Sequence, residues 1–395
     1  IDPGSDADII FGHELTLDDI IWEGPVEPLS SLAEKVGVST THPLEKLGAV
    51  IRKTEVHYLP PYRGDREIFI KDTLGISIPF STALVKAVVS QRALKSGEEI
   101  AEMTKAVNIT REMHVAAMKA TRPGMKEYEV VAEILKTLKS HHAELSYPVI
   151  LSVNGQTLHN HYHGNEMKAG QLLLNDSGAE TEMYYAGDIT RTFPVSGRFT
   201  SRQKEIYEIV LKMETESIAS LRPGLAYRDV HLNANRILLE GLAALGLVQG
   251  DLETLVQEGV GGLFMPHGLG HSIGLDVHDM EDLGEQYVGY REGLERSTQL
   301  GLKSLRLAKE LETGHVLTVE PGCYFIPELI RKYRSEGIFA PYVNYHRLEE
   351  EYLDFGGIRI EDNVAITESG FEVLGHPIPK TVEEVEEIRA GNSGF

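Results

Sequence analysis

The sequence predicts an α/β (α+β) protein in which a smaller α/β segment, residues 1–95, precedes a larger domain, residues 96–395, built as an internal pseudo-twofold duplication. Three observations lead there. Arg122-Pro123-Gly124 and Arg222-Pro223-Gly224 stand one hundred residues apart, each between two helical stretches. Each half also supplies strand-like runs, the clearest being LLLNDSGAETEMYYAGDITRTFPV, residues 172–195. Ser96 followed by Glu99 forms a capping-box pattern that opens a long helix, and this sets the boundary. Two copies argue against a solenoid, and because the tripeptide is a common helix stop, coincidence competes with duplication at this level. A duplicated domain would carry its site at the seam between the halves.

Composition sets the class. The chain has 395 residues, 42% hydrophobic and 25% charged, which suits a soluble globular protein with two cores. Sixty acidic residues against 38 basic ones give a formal charge of −22, and no Lys/Arg cluster is dense enough to face phosphates, which excludes nucleic acid as a partner. Cys323 is the only cysteine, so no intrachain disulfide forms and a reducing, cytoplasmic compartment is expected. No apolar run reaches the roughly 18 residues of a membrane span, so no membrane partner is expected. No basic-then-apolar leader opens the sequence. A chain beginning at Ile1 rather than Met is expected to be processed or truncated.

In chain order, residues 1–95 mix short apolar runs with punctuation such as Trp22-Glu23-Gly24-Pro25 and Pro60-Pro61. Helices are expected over 98–120 and 127–141, then a strand near 148–153. The run 172–195 reads as two strands joined by a short polar turn. Asp176 closes the first strand, and Asp188 sits inside the second beside Thr190 and Thr192, so two carboxylates face one another. Either both are solvated, or a cation lies between them. Helices over 203–221 and 227–245 then repeat the earlier pattern.

The second half adds chemistry. Pro266-His267-Gly268-Leu269-Gly270-His271 has too much glycine for a helix, so it is not a His-Glu-x-x-His site. Three histidines, His267, His271 and His278, fall within one short stretch and point to a site. Glu320 ends the apolar run 316–319 just before Pro321-Gly322, where the chain must turn. Strand alternation puts Arg359 and Glu361 on one face and Ile358 and Ile360 on the other. Arg359 is therefore the expected partner of the Glu361 carboxylate, whether buried or on a solvated face.

Taken together, Asp176, Asp188, His271, Glu320 and Glu361 resemble, in order and in flanking residues, the five ligands of the pita-bread metallopeptidases, the group of methionine aminopeptidase, aminopeptidase P and prolidase. HGLGHSIGLDVHD (267–279), TVEPGCYF (318–325) and GGIRIEDN (356–363) resemble its proline-specific branch. The resemblance runs from about Ser96 to the C-terminus, and residues 1–95 are similar to the latter part of that branch's N-terminal domain. It implies the pita-bread fold and two divalent ions. The hard donor set suits Mn²⁺ first, with Zn²⁺ or Co²⁺ able to bind. It also implies that Asp188 and Glu361 bridge the ions, Asp176 holds one, and His271 and Glu320 complete the other. A bridging hydroxide then attacks the peptide carbonyl, with Glu320 as proton shuttle. His267 and His278 would bond the substrate and its oxyanion. A further histidine precedes the first Asp in this family; His159, seventeen residues before Asp176, fits, and His161 is the rival match. Tyr324 and Arg359 match positions beside the metals and Tyr324 also a substrate contact, while Cys323 is expected as a packed side chain.

The stretch 301–306, GLKSLR, resembles prolidase, where the matching arginine holds a dipeptide's C-terminal carboxylate. Arg306 is thus the expected specificity residue, or else a surface arginine on an amphipathic helix over 303–311. The implied activity is hydrolysis of the Xaa-Pro bond, as a dipeptidase first and an aminopeptidase on longer peptides second, in a homodimer. A metal-free enzyme or a binding protein of the same fold stands as the remoter alternative, and filled ligand positions argue against both.

Overall fold

The computed structural model describes residues 8–25, 27–51 and 55–391. Backbone contacts divide the chain into two units, residues 1–87 and 88–395, the division falling inside the helix Thr82–Ala93, ahead of the Ser96 cap. In the first unit the strands Ile9–Gly12 and Thr40–Pro43 pair in parallel. Its helix Leu17–Glu23 starts on a reciprocal cap between Thr16 and Asp19, which satisfies donors a helix start leaves open. Among the described residues no helix is long and apolar enough to cross a membrane.

The second unit opens with the helix Gly97–Ala120. The Ser96 hydroxyl accepts from the Glu99 amide at 3.3 Å, and the Glu99 carboxylate accepts from the Ser96 amide at 2.8 Å. Met103, Ala106, Val107, Thr110, Met113 and Ala117 recur at helical spacing and form its buried face. The helix Glu127–Ser140 follows, and the strands Ile150–Ser152, Leu172–Ser177 and Ile189–Pro194 form one antiparallel sheet in that order. In the second half come the helices Ser201–Ser220 and Tyr227–Ala244 and the antiparallel strands Val316–Val319, Asp362–Thr367 and Gly370–Val373. A separate pair joins Gly322–Tyr324 to Gly357–Arg359. One apolar core joins both halves, from Met118, Ile134 and Phe193 to Leu238, Leu317 and Ile358.

Backbone hydrogen bonding repeats between the halves. The helices end where Thr121 and Leu221 turn extended, two residues before each proline, and both tripeptide glycines then take the left-handed region, Gly124 at φ +90 and Gly224 at φ +81. After each turn the next helix begins by donating to a returning loop. Gly124, Glu127 and Tyr128 donate to the carbonyls of Met167, Asn165 and His163; Gly224, Tyr227 and Arg228 donate to those of Leu311, Lys309 and Ala308. Equivalent bonds at equivalent positions reflect duplication, not a chance repeat of a stop signal. The loops so pinned, 154–165 and 299–309, carry His159 and His161 on one side and Lys303 and Arg306 on the other.

Three expectations are corrected. The turn of the carboxylate hairpin is not short: residues 178–188 intervene, and Asp188 lies just before its strand rather than within it. Residues 303–311 are not a helix. A single 3-10 turn, Leu302–Ser304, gives way to extended backbone at Leu305. The amides of Ala308 and Lys309 are committed to the Gly289 carbonyl and that of Leu311 to the Leu225 carbonyl, so no intrahelical bonds remain to be made. Leu305, Ala308 and Leu311 are buried at what looks like helical spacing, and this misled the periodicity. Finally, Arg359 does not pair with Glu361, as described below.

The His271 segment is fitted tightly to the strand Val316–Val319. A Cβ on Gly270 would stand 2.0 Å from the Thr318 carbonyl oxygen and 2.7 Å from the Tyr227 hydroxyl. Gly270→Ala is expected to lower the unfolding free energy by about 1–3 kcal/mol, read from urea denaturation at unchanged m-value.

Candidate active site

The site is assembled from strand ends. On the strand Leu172–Ser177, Asn175 and Ser177 face the buried His114. Its Nδ1 accepts from the Asn175 amide at 3.0 Å and its Nε2–H donates to the Ser177 carbonyl at 3.1 Å. Burial pushes His114 down to about 3, which keeps it in the neutral form this pattern requires. Asp176, between them, is presented on the opposite face, across from Thr190 in the strand register. Asp188 stands two residues before Thr190 and points the same way.

The Tyr147 hydroxyl lies between the two acids, 2.6 Å from Asp176 Oδ1 and 2.5 Å from Asp188 Oδ1. Arg359 is fully engaged. Its guanidinium donates to Asp176 Oδ2, to the Tyr324 hydroxyl at 2.9 Å and, through Nε, to Thr190 Oγ1 at 3.0 Å. Thr190 then donates its own proton to Glu361 Oε2 at 2.7 Å. Alternation identified the right face, but a carboxylate on a strand of another sheet, not the one two residues along, takes the arginine.

His271 donates Nδ1–H to the Ser272 carbonyl at 3.1 Å and turns Nε2 toward Asp188 Oδ2 at 3.4 Å and Glu320 Oε1 at 3.5 Å. Donor atoms of Asp188, His271 and Glu361 all lie within 4.8 Å of one another. Glu320 emerges just after the strand Val316–Val319 and receives the Thr318 hydroxyl at 3.3 Å. Asp176, Asp188, His271, Glu320 and Glu361 all line one cleft of about 580 Å³.

This grouping is costly in charge. Burial, then Asp188, Glu320 and Asp176, hold the Glu361 carboxyl well above the usual range. Burial pushes Glu320 up to about 7, even against the pull of His271 and Arg359. Burial also raises Asp176 against the same arginine. Burial alone would lower His271, but Asp188 and Glu320 outweigh it and push the imidazole up to about 9. Three buried acids, the half-buried Glu320 and one imidazole, with the Arg359 guanidinium beside them, fit divalent cations by number, hardness and proximity.

Around this floor, His267 donates Nδ1–H to the Gly268 carbonyl at 2.7 Å, and its Nε2 accepts from Tyr324 at 3.0 Å. Burial, then Arg359, push it down to about 3. Tyr324 is fully buried behind the wall, its hydroxyl shared between Arg359 and His267. His278 lies edge-on to His271, ring centroids 4.3 Å apart, and burial pushes it down to about 3. His159 and His161 both line the cleft, as do Lys303 and Arg306. Arg306 is held by the carboxylates of Glu281 and Glu285, and Cys323 is packed in the core. Tyr147 was not foreseen; it belongs to no repeat or cluster, and only the tertiary fold brings it between the acids.

Comparison with known proteins agrees with this geometry. Residues 101–368 match the model of metallopeptidase family M24. The chain is 34% identical to human Xaa-Pro dipeptidase, over 99% of this chain and 80% of that one. It is 35% identical to a probable Xaa-Pro aminopeptidase of Botryotinia fuckeliana, over 98% and 82%. Among solved structures, zinc-substituted E. coli aminopeptidase P in complex with product superposes with a TM-score of 0.80 at 30% identity, covering 100% of this chain and 85% of that one. A glutamate-to-alanine variant of the same enzyme in complex with substrate gives 0.77 at 30% identity, covering 97% and 82%. The chain belongs to metallopeptidase family M24.

Glu320 and His271 both carry raised values, so without cations the native state holds more protons than the unfolded chain across this range. The stability of EDTA-treated protein is therefore expected to fall as pH rises from about 4.5, the ordinary glutamate value, through about 7 for Glu320 and on to about 9 for His271. Excess Mn²⁺ is expected to abolish that fall, as read by denaturant titration at several pH values.

Proposed function

We propose that this chain is a proline-specific metallo-exopeptidase that cleaves the Xaa-Pro bond, an Xaa-Pro dipeptidase before an Xaa-Pro aminopeptidase. What carries the reading is one cleft that gathers Asp176, Asp188, His271, Glu320 and Glu361 and has Arg306 on its wall. The five donors would hold two divalent ions, Mn²⁺ first and Zn²⁺ or Co²⁺ next. When bound, such ions supply Lewis acidity toward a carbonyl and make water a stronger acid.

The chain's own residues do the rest. Glu320, on the cleft wall with its carboxylate turned toward His271, is the residue placed to take and return a proton. His267 and His278 are neutral imidazoles at the cleft, suited to hydrogen-bond the substrate and the oxygen on which charge develops. His159 is the further histidine for substrate, with His161 two residues along as the alternative. Tyr324 acts through His267, whose tautomer it fixes, and Arg359 orients Asp176 and, through Thr190, Glu361. Arg306 would exchange Glu281 and Glu285 for the C-terminal carboxylate of a dipeptide.

The aminopeptidase reading is favoured by the same engagement of Arg306, since a longer substrate leaves that ion cluster undisturbed. A homodimer and a cytoplasmic location complete the proposal, the latter supported by a lone, buried cysteine.

Purified protein with Mn²⁺ is expected to hydrolyse an Xaa-Pro dipeptide faster than an Xaa-Pro-Yaa tripeptide. Arg306→Met should cost the dipeptide about 10–100-fold in kcat/KM and the tripeptide little. A tripeptide preference unaffected by Arg306→Met would assign the aminopeptidase instead. Glu320→Gln is expected to lower kcat by about 10²–10⁴ on either peptide.

A further inference from the structure

The segment that carries His278 is held from behind by charges that take no part in the chemistry proposed above. Residues 272–280 have no regular structure beyond an isolated bridge from Ser272 to Leu317. The backbone folds on itself through the Asp279 amide to the Ser272 carbonyl, 3.0 Å, and the Gly274 amide to the Asp276 carbonyl, 3.1 Å. Met280 closes the turn in the left-handed region, φ +62. The Ile273 amide also reaches the Val316 carbonyl at 3.2 Å and the Gly274 carbonyl accepts from the Ala186 amide at 2.9 Å, bonds that tie the start of the segment and leave His278 to be fixed from its other end.

Asp279, the residue after His278, supplies the missing constraint. Its side chain is 1% exposed and both oxygens are taken: Lys95 Nζ lies 2.7 Å from Oδ2 and Arg92 lies 2.6 Å from Oδ1. The Lys95 side chain is itself 2% exposed, and Arg92 also reaches Asp276 at 3.1 Å. There is no slack, since a Cβ on Gly274 would come within 2.7 Å of Asp279 Oδ2 and 2.9 Å of Lys95 Cε. Lys95 is tied in turn by its amide to the Gly314 carbonyl at 2.8 Å, beside the start of the strand Val316–Val319 that leads to Glu320.

A buried ammonium–carboxylate pair recovers little net stability once desolvation is counted, but it cannot move without leaving a charge unpaired. We infer that Lys95 and Arg92, acting through Asp279, are positioning residues for His278, fixing its imidazole against His271 and toward the substrate. This rests on the peptidase reading, in which His278 meets the substrate.

The test is a double-mutant cycle in the full chain with Mn²⁺ and an Xaa-Pro dipeptide. Lys95→Met is expected to lower kcat by about 10–100-fold while KM changes by less than about twofold. In a His278→Ala background the same substitution should change kcat by less than about twofold, because nothing remains to be positioned. Equal losses in both backgrounds overturn the inference. Arg92→Met, at a less buried residue, repeats the cycle should Lys95→Met fail to fold, with the same pattern expected. Amide hydrogen exchange gives a readout independent of turnover. Lys95→Met should speed exchange at Gly274 and Asp279 while the Leu173 and Phe193 amides keep their protection, and unchanged exchange at Gly274 and Asp279 also overturns the inference. If the wild-type protein cleaves no Xaa-Pro peptide, the peptidase reading fails, and exchange still decides whether Lys95 anchors the segment.

Discussion

Mutual repulsion among buried carboxylates is the constraint on which the rest of this structure depends. Asp176, Asp188 and Glu361 converge where solvent screens them little, the half-buried Glu320 joins them, and the chain's own cations do not balance four ionised acids. Arg359 neutralises one, a tyrosine and a threonine share protons with others, and His271 is drawn toward the charged state. With all four ionised, protein groups alone would leave a surplus of negative charge at the floor of the cleft, which in the absence of cations is met by protons on Glu361 and Glu320. That surplus is what a hard divalent cation reads as affinity.

Holding such a set together requires a rigid scaffold, because each acid gains by moving away from the others. The fold provides it by placing every donor at a strand end or in a glycine-rich connection locked to a strand. Backing residues then remove the remaining freedom. His114 pins the reverse face of the Asp176 strand, and Arg191, fully buried, donates to the Glu361 carbonyl and to Asp362 at 2.6 Å each. Much of the polar content of this core serves orientation more than stability.

The fold and the donor set were largely legible in the sequence. Capping residues, helix-stopping tripeptides and apolar spacing act locally, so the four long helices of residues 97–244 fall within two or three residues of where pattern alone puts them. Asp176 and Glu320 stood out where an apolar run meets a turn and His271 among clustered histidines, while the grouping of all five donors came from the resemblance to a family. What escaped depends on partners distant in sequence. Nothing around Arg359 says that Asp176, on a strand of another sheet, lies beside it, and nothing around Tyr147 marks it as the group between two acids. The stretch 303–311 shows the converse failure, a helix-like pattern of burial on a backbone whose amides are spent elsewhere.

The matched loops pinned to the two duplicated helix starts have become unlike. One presents imidazoles, the other Lys303 and Arg306, the arginine tied to Glu281 and Glu285 on a neighbouring segment. Two copies of one unit can diverge because each keeps its own attachment, so drift in one leaves its sister intact. Tolerance of insertions and changes in peptide-length preference should therefore concentrate in 299–309, and a library confined to that stretch would retune which peptides are accepted without rebuilding the apparatus that cuts them.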